Sequence, residues 1–251
     1  MTGTVPPRCF ALVPCAGVGA RSGAALPKQY LALAGRAMVA HTLTALAQVS
    51  RIAATLVVLA PQDAQFESQV PEFCGNGRWL ARCGGDTRAS TVGNGLAVLT
   101  AHGAGPQDWV LVHDAARCLV RPEWVDRLID ACWDDPVGGL LALPLADTLK
   151  QARSGRVAAT LDREGKWAAQ TPQMFRLGLL QEALSKAGDG VTDESSAVER
   201  LGHAPLIVMG AMANLKLTWP EDFDLAARLL SASGRAGSDN ADGAMLPATR
   251  A

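Results

Sequence analysis

Short apolar runs alternate along the chain with longer stretches whose apolar residues recur every three or four positions. Residues 10–13, 54–59, 109–112 and 140–143 are such runs, with a weaker one at 79–82, and they predict strands. Pro14 is expected to end the first. Residues 38–49, 87–99 and 122–133 have helical spacing. Gly93 and Gly95 weaken the second. The third opens on Pro122 and carries Trp124, Val125, Leu128 and Ile129 on one face. Further on, 177–187 and 193–201 predict helices, 204–209 and 215–217 short strands, and 220–232 a closing helix. This alternation predicts an α/β fold with one doubly wound, mostly parallel sheet covered on both faces. Ligands then lie beyond the carboxyl ends of the strands. The chain shows no internal repeat.

Residues 146–170 break the rhythm. Two short extended pieces, 148–150 and 167–169, flank a polar stretch with Gly155 and Gly165. The segment is too poor in apolar residues for a buried helix, so it predicts a β-arm projecting from the domain. A lone arm is marginal in water. A second copy of the chain is the simplest surface to cover it, which predicts a homodimer joined through the arm. From Ser233 the composition shifts to Gly, Ser, Ala and Asp. The expected organisation is one domain over 1–232 and a disordered tail over 233–251.

Composition narrows the class. The 251 residues are 49% hydrophobic and 19% charged, with net charge −1. That predicts a soluble protein with a sizeable core. It offers no basic excess for nucleic acid or for an anionic membrane. No apolar run approaches the ~20 residues of a membrane span, and the first ten residues lack a leader's apolar region, so a cytoplasmic protein is expected. Cys9, Cys15, Cys74, Cys83, Cys118 and Cys132 form no C-x-x-C pair and predict reduced, mostly buried thiols.

Chemistry concentrates after the first strand. Gly17, Gly19 and Gly23 precede Arg21 and Lys28 within one short stretch. Glycines let backbone N–H groups turn toward an anion, and the cations add full charge. A nucleoside triphosphate suits such a loop. The Walker pattern G-x-x-x-x-G-K-[ST] is absent, and G-x-G-x-x-x-G is one residue longer than the dinucleotide fingerprint. The second strand also ends at Leu59-Ala60-Pro61, without the acid that binds a ribose.

Three other stretches stand out. Gly84-Gly85-Asp86-Thr87-Arg88-Ala89-Ser90-Thr91 is either plain capping or a ligand wall. Asp114, in His113-Asp114-Ala115-Ala116-Arg117, ends a central strand, where an unpaired carboxylate is costly. Its partner is either a divalent cation on a triphosphate or Arg117. His113 reads as packed or hydrogen-bonded, not catalytic. Asn214-Leu215-Lys216-Leu217-Thr218 is followed by Pro220-Glu221-Asp222, and Lys216 alone would read as a solvated charge.

Pro14-Cys15-Ala16-Gly17-Val18-Gly19-Ala20-Arg21-Ser22-Gly23 with Pro27-Lys28-Gln29-Tyr30-Leu31 resembles the signature of the sugar-nucleotidyltransferases. The later blocks resemble one branch, the 2-C-methyl-D-erythritol 4-phosphate cytidylyltransferases of the non-mevalonate isoprenoid pathway. The resemblance extends over residues 9–232. It implies transfer of CMP from CTP to a polyol phosphate with Mg²⁺, by a homodimer. A ribitol 5-phosphate cytidylyltransferase and a non-catalytic nucleotide-binding module are the rival readings.

The resemblance also assigns roles. Arg21 and Lys28 act on the transferring phosphate. Pro14, Ala16, Gly17, Gly19, Gly85, Asp86, Thr91 and Ala115 contact the nucleotide, and Asp114 holds Mg²⁺ and phosphates. Arg117 faces the substrates. Thr148, Thr192, Lys216 and Arg163 serve the acceptor, Arg163 in the other subunit's site. The Thr171-Pro172-Gln173-Met174-Phe175 segment is structural. Cys15, Thr91, Cys118 and Ala213 stand where the family usually has Ala, Ser, Pro and an acid.

Overall fold

The computed structural model describes residues 6–17, 26–188 and 190–239, with side chains as far as residue 232. Strand β1 (Cys9–Cys15) leads through a 3₁₀ turn (Lys28–Tyr30) and the short β2 (Ala32–Leu33) and β3 (Arg36–Ala37) to α1 (Met38–Ala47). Then come β4 (Ile52–Leu59), α2 (Phe66–Gln69), β5 (Arg78–Ala81), α3 (Arg88–Ala101), β6 (Trp109–Val112), α4 (Pro122–Cys132) and β7 (Gly138–Pro144). A hairpin of β8 (Leu149–Arg153) and β9 (Arg156–Leu161) precedes β10 (Trp167–Arg176), α5 (Leu177–Lys186), α6 (Glu194–Arg200), β11 (Leu206–Met209) and α7 (Pro220–Asp239).

Seven strands form one sheet in the order β11-β7-β10-β6-β1-β4-β5. All neighbours run parallel except β10, which is antiparallel to both β6 and β7. The pleat divides each strand between two apolar layers. Cys9, Ala11 and Val13 of β1 join the layer that contains Val39, Leu43, Val125 and Leu128 of α1 and α4. Phe10 and Leu12 join the layer built on Val92 and Leu96 of α3 and Leu180 of α5. The predicted doubly wound, mostly parallel sheet is therefore present. The crossovers leave β1 toward β4 on one side and β6 on the other, so the crevice at the carboxyl end of β1 is the switch point.

Several local expectations change. β1 runs through Pro14 to Cys15. Leu12 O accepts from His113 N, so Pro14, two residues on, faces the same side, beyond the end of the β6 ladder. Its missing N–H therefore breaks no bond. Gly95 does not interrupt α3. A Cβ there would lie 2.7 Å from Leu12 Cδ1 and 2.8 Å from Val58 Cγ2, so the glycine lets the helix sit close on the sheet. Residues 215–217 are not a strand. Leu217 N donates to Ala116 O, and Asn214 Nδ2 donates to Thr171 O, which pins the segment as a loop over the crevice.

The 146–170 segment folds differently in detail. Among the described residues β8 and β9 pair with each other alone, as an exposed two-stranded ribbon. Residues 167–169 belong instead to β10 and pair with β7. The closing helix continues beyond residue 232 to Asp239, and residues 240–251 of the expected tail lie outside the described residues. Among the described residues no helix is long and apolar enough to cross a membrane. All six cysteines are free, and Cys9, Cys15, Cys118 and Cys132 are buried.

Candidate functional site

A cavity of about 620 Å³ opens at the carboxyl ends of β1, β4, β5 and β6. One wall is Pro14, Cys15, Ala16 and Gly17. The second runs from Gly84 to Arg88 and includes Thr91. Asp114, Ala115 and Lys216 close the third side, and Lys28 enters over the top. Gly19, Arg21 and Gly23 lie outside the described residues.

Each wall is held by the local chain. Gln29 is buried and donates through Nε2 to Cys15 O at 3.0 Å, and Tyr30 donates its hydroxyl to Asp63 at 2.6 Å. These bonds fasten the 3₁₀ turn under the end of β1 and carry Lys28 to the cavity. Lys28 Nζ donates to Leu217 O, tying the turn to the 214–217 loop.

Gly84 sits where its N donates to Leu59 O at 2.8 Å. A Cβ there would lie 2.2 Å from Ala16 Cβ and 2.8 Å from Leu59 O, so only glycine brings the two walls this close. Buried Thr91 accepts from Gly85 N at 3.1 Å and braces the second wall. The open choice at 84–91 resolves by residue. Thr87 caps α3 in a capping box with Ser90, while Asp86 lines the cavity and takes no part in the cap.

Asp114 is 8% exposed and is not paired with Arg117. Arg88 Nε donates to its Oδ1 and Lys216 Nζ to its Oδ2, each at 2.8 Å. Arg88 turns its other nitrogens on Glu194, at 2.6 and 3.0 Å. Burial alone would raise the Asp114 pKa, but the Arg88 and Lys216 charges outweigh it and hold the carboxyl below the usual carboxylate range. Asp114 is therefore an anion throughout the physiological range. Such a buried pair is costly to break, about 3–5 kcal/mol. The exposed Arg36–Glu72 pair is worth about 1 kcal/mol or less.

Arg117 points elsewhere. It donates to the carbonyls of Asn214 at 2.7 Å and Ala169 at 3.1 Å, and its Nε is buried without a partner among the described residues. It therefore binds the 214 loop to β10 and is not part of the cavity lining. The turn that carries it closes without the family's usual proline, since Arg117 N donates to Asp114 O at 3.0 Å.

Thr148 and Arg163 are exposed, before and after the β8–β9 ribbon, and Thr192 is exposed beside the start of α6. None of the three lines the cavity. Thr171 accepts from Asp114 N at 3.0 Å, and Gln173 bridges Ser195 N at 2.8 Å and Asp193 Oδ2 at 2.8 Å. The Thr171-Pro172-Gln173 segment thus supports the site from behind, as the sequence suggested.

Arg88 and Glu194 are the site residues that sequence reasoning passed over. Each has an ordinary reading at a helix start, and they are 106 positions apart. The signal was the arginine of the G-G-x-x-R block itself.

His113 is fully buried, bonded at Nε2 to Arg117 O and at Nδ1 to Thr171 Oγ1, both at 3.1 Å. Burial lowers its pKa from 6.5 to about 4. A group held neutral in the fold contributes stability that is complete above its unfolded pKa and lost as pH falls from 6.5 toward 4. The expected loss is about 3 kcal/mol. Urea unfolding at neutral pH and at about pH 4.5 should show it, and His113→Gln should shrink the difference. An equal loss in the variant would place the acid sensitivity elsewhere.

The family model described as IspD, 2-C-methyl-D-erythritol 4-phosphate cytidylyltransferase, matches residues 9–232. A bifunctional enzyme IspD/IspF of Albidiferax ferrireducens is 62% identical over 225 residues, covering 89% of this chain and 53% of that protein. The chain thus spans about half the length of that relative. A 2-C-methyl-D-erythritol 4-phosphate cytidylyltransferase of Paraburkholderia phytofirmans is 53% identical over 231 residues, covering 89% of this chain and 96% of the relative. A solved 4-diphosphocytidyl-2C-methyl-D-erythritol synthase superposes with a TM-score of 0.81 at 41% identity, covering 90% of this chain and 100% of that one. The corresponding cytidylyltransferase of Thermus thermophilus gives 0.73 at 30% identity, covering 88% and 98%.

Proposed function

The chain belongs to the 2-C-methyl-D-erythritol 4-phosphate cytidylyltransferase family, and on that premise we propose how it transfers CMP from CTP to 2-C-methyl-D-erythritol 4-phosphate with release of pyrophosphate. The observation that carries the proposal is one cavity at the switch point with a glycine wall on one side and Lys28, Asp114 and Lys216 on the other. Ribitol 5-phosphate is the acceptor of the rival reading, and the family match favours methylerythritol phosphate. A pyrophosphate-release assay with each acceptor tests this. Turnover with methylerythritol phosphate and little with ribitol 5-phosphate is expected, and the reverse would overturn the assignment.

The acceptor's phosphate oxygen is the nucleophile. With a second pKa near 6 it is already anionic at neutral pH, so no general base is needed. The buried, neutral His113 is accordingly not asked to move a proton. The barrier is electrostatic, because two anions must meet and charge builds on the leaving pyrophosphate. Lys28 lines the cavity and holds the transferring phosphate in this reading, with Arg21 assigned the same role by family resemblance. Lys216 and Arg163 place the acceptor for in-line attack. The glycine wall and Thr91 seat the cytidine.

Magnesium fits this donor set through Asp114. Each Asp114 oxygen accepts one cationic donor and keeps a further lone pair. Mg²⁺ needs only one or two carboxylates when phosphates supply the other oxygens. Among the described residues no group of three metal-ligating side chains exists, which suits an ion carried by the triphosphate. Bound there, it would neutralise phosphate charge.

The β8–β9 ribbon supports a homodimer. It pairs with no other strand among the described residues, and Val157 on it is 65% exposed. Arg163 follows it and would reach the partner's site. Mixing Arg163→Ala with Lys28→Ala protein should then restore about a quarter of wild-type activity, since half the dimers carry one intact site. Failure to complement despite demonstrated subunit exchange would contradict the shared site.

A further inference from the structure

Arg88 stands in the first turn of α3 and Glu194 in the first turn of α6. With Asp114 and Lys216 they form four alternating charges, from a carboxylate only 1% exposed to an ammonium 47% exposed at the cavity. Burying Glu194 is expensive, and an apolar side chain would pack there at less cost. Capping does not account for it, because Asp193 and Ser196 already form the capping box of α6. A favourable interaction with the helix dipole would be available to an exposed carboxylate as well.

What the buried position does provide is direction. Glu194 takes both terminal nitrogens of Arg88, which leaves Nε aimed at Asp114 Oδ1 in one geometry. The same clamp ties the helix behind the nucleotide wall to the helix beside Thr192. Gln173, which bonds Ser195 N and Asp193, keeps that second helix in place.

We propose that Glu194 and Arg88 are positioning residues of the transfer reaction: Glu194 clamps Arg88, and Arg88 fixes where Asp114 presents its charge to Lys216 and to the phosphates. This rests on the cytidylyltransferase reading. Glu194 is buried behind the cavity and Arg88 lines it, but in this role both act through Asp114.

Glu194→Gln tests it. The amide keeps one acceptor for Arg88 but sets an NH₂ against its other nitrogen, so the fork no longer matches. With wild-type protein turning over CTP and methylerythritol phosphate as control, kcat should fall at least about tenfold while KM for CTP changes less than about threefold. In the Asp114→Asn background the same change should cost nothing further. Wild-type turnover of Glu194→Gln, or losses that multiply in the double variant, would overturn the proposal.

If Glu194→Gln does not fold, Arg88→Lys serves, since one ammonium cannot span both carboxylates. It should show the same kcat loss, and normal turnover would refute the clamp. Should neither variant fold, the ladder is a scaffold and the proposal fails. An inactive wild type would instead refute the cytidylyltransferase reading.

Discussion

Asp114→Ala should lower kcat/KM about a thousandfold. The carboxylate is buried at the end of β6 and receives Arg88 on one oxygen and Lys216 on the other. Its removal frees Lys216 and leaves Arg88 held only by Glu194. Both effects degrade a charge arrangement that must exist before the phosphates arrive. Stability should also fall, by about 3 kcal/mol, the lower end for broken buried pairs, because Arg88 keeps one partner and Lys216 reaches water.

Asp114→Asn separates the two effects. It fills the same volume but sets an NH₂ against one of the two cations, so turnover should fall as in the Ala variant while only the part of the stability due to packing returns. Pyrophosphate release and urea unfolding on both variants check this. Near-wild-type turnover of either would remove Asp114 from the reaction.

Lys28→Ala should lower kcat about a hundredfold, equivalent to about 2.7 kcal/mol of barrier. The charge serves most where negative charge accumulates, on the transferring phosphate and its leaving group. The fold should survive, because the turn is fastened by its neighbours. Gln29 bonds Cys15 O and Tyr30 bonds Asp63, and neither bond involves Lys28. The loss of its bond to Leu217 O loosens the loop over the crevice. A variant with normal circular dichroism and near-wild-type turnover would contradict the role.

Much of the frame was legible because strand alternation is a local signal. β6 occupies 109–112 as expected, and α1 begins at Met38. The switch-point cavity followed from the alternation of strands and helices. What was not legible depends on distant partners. Leu215-Lys216-Leu217 has strand-like alternation, but its backbone bonds go to Ala116 and Lys28 and no ladder forms.

β10 was split between an arm and a structural motif, because nothing local says that the chain returns antiparallel between β6 and β7. For Asp114 the sequence left a divalent cation or Arg117 as partner. The fold instead gives that carboxylate to Arg88 and Lys216, and turns Arg117 onto two carbonyls.

Where the nucleotide sits decides whether Lys28, Asp114 and Lys216 can act on its phosphates. A crystal structure of the protein with CTP and Mg²⁺ measures that directly. The cytidine should lie against Gly84, Gly85 and Thr91, with the triphosphate between Gly17 and Lys28 and within reach of Asp114. Cytidine held at any other surface, with this cavity empty, would contradict it.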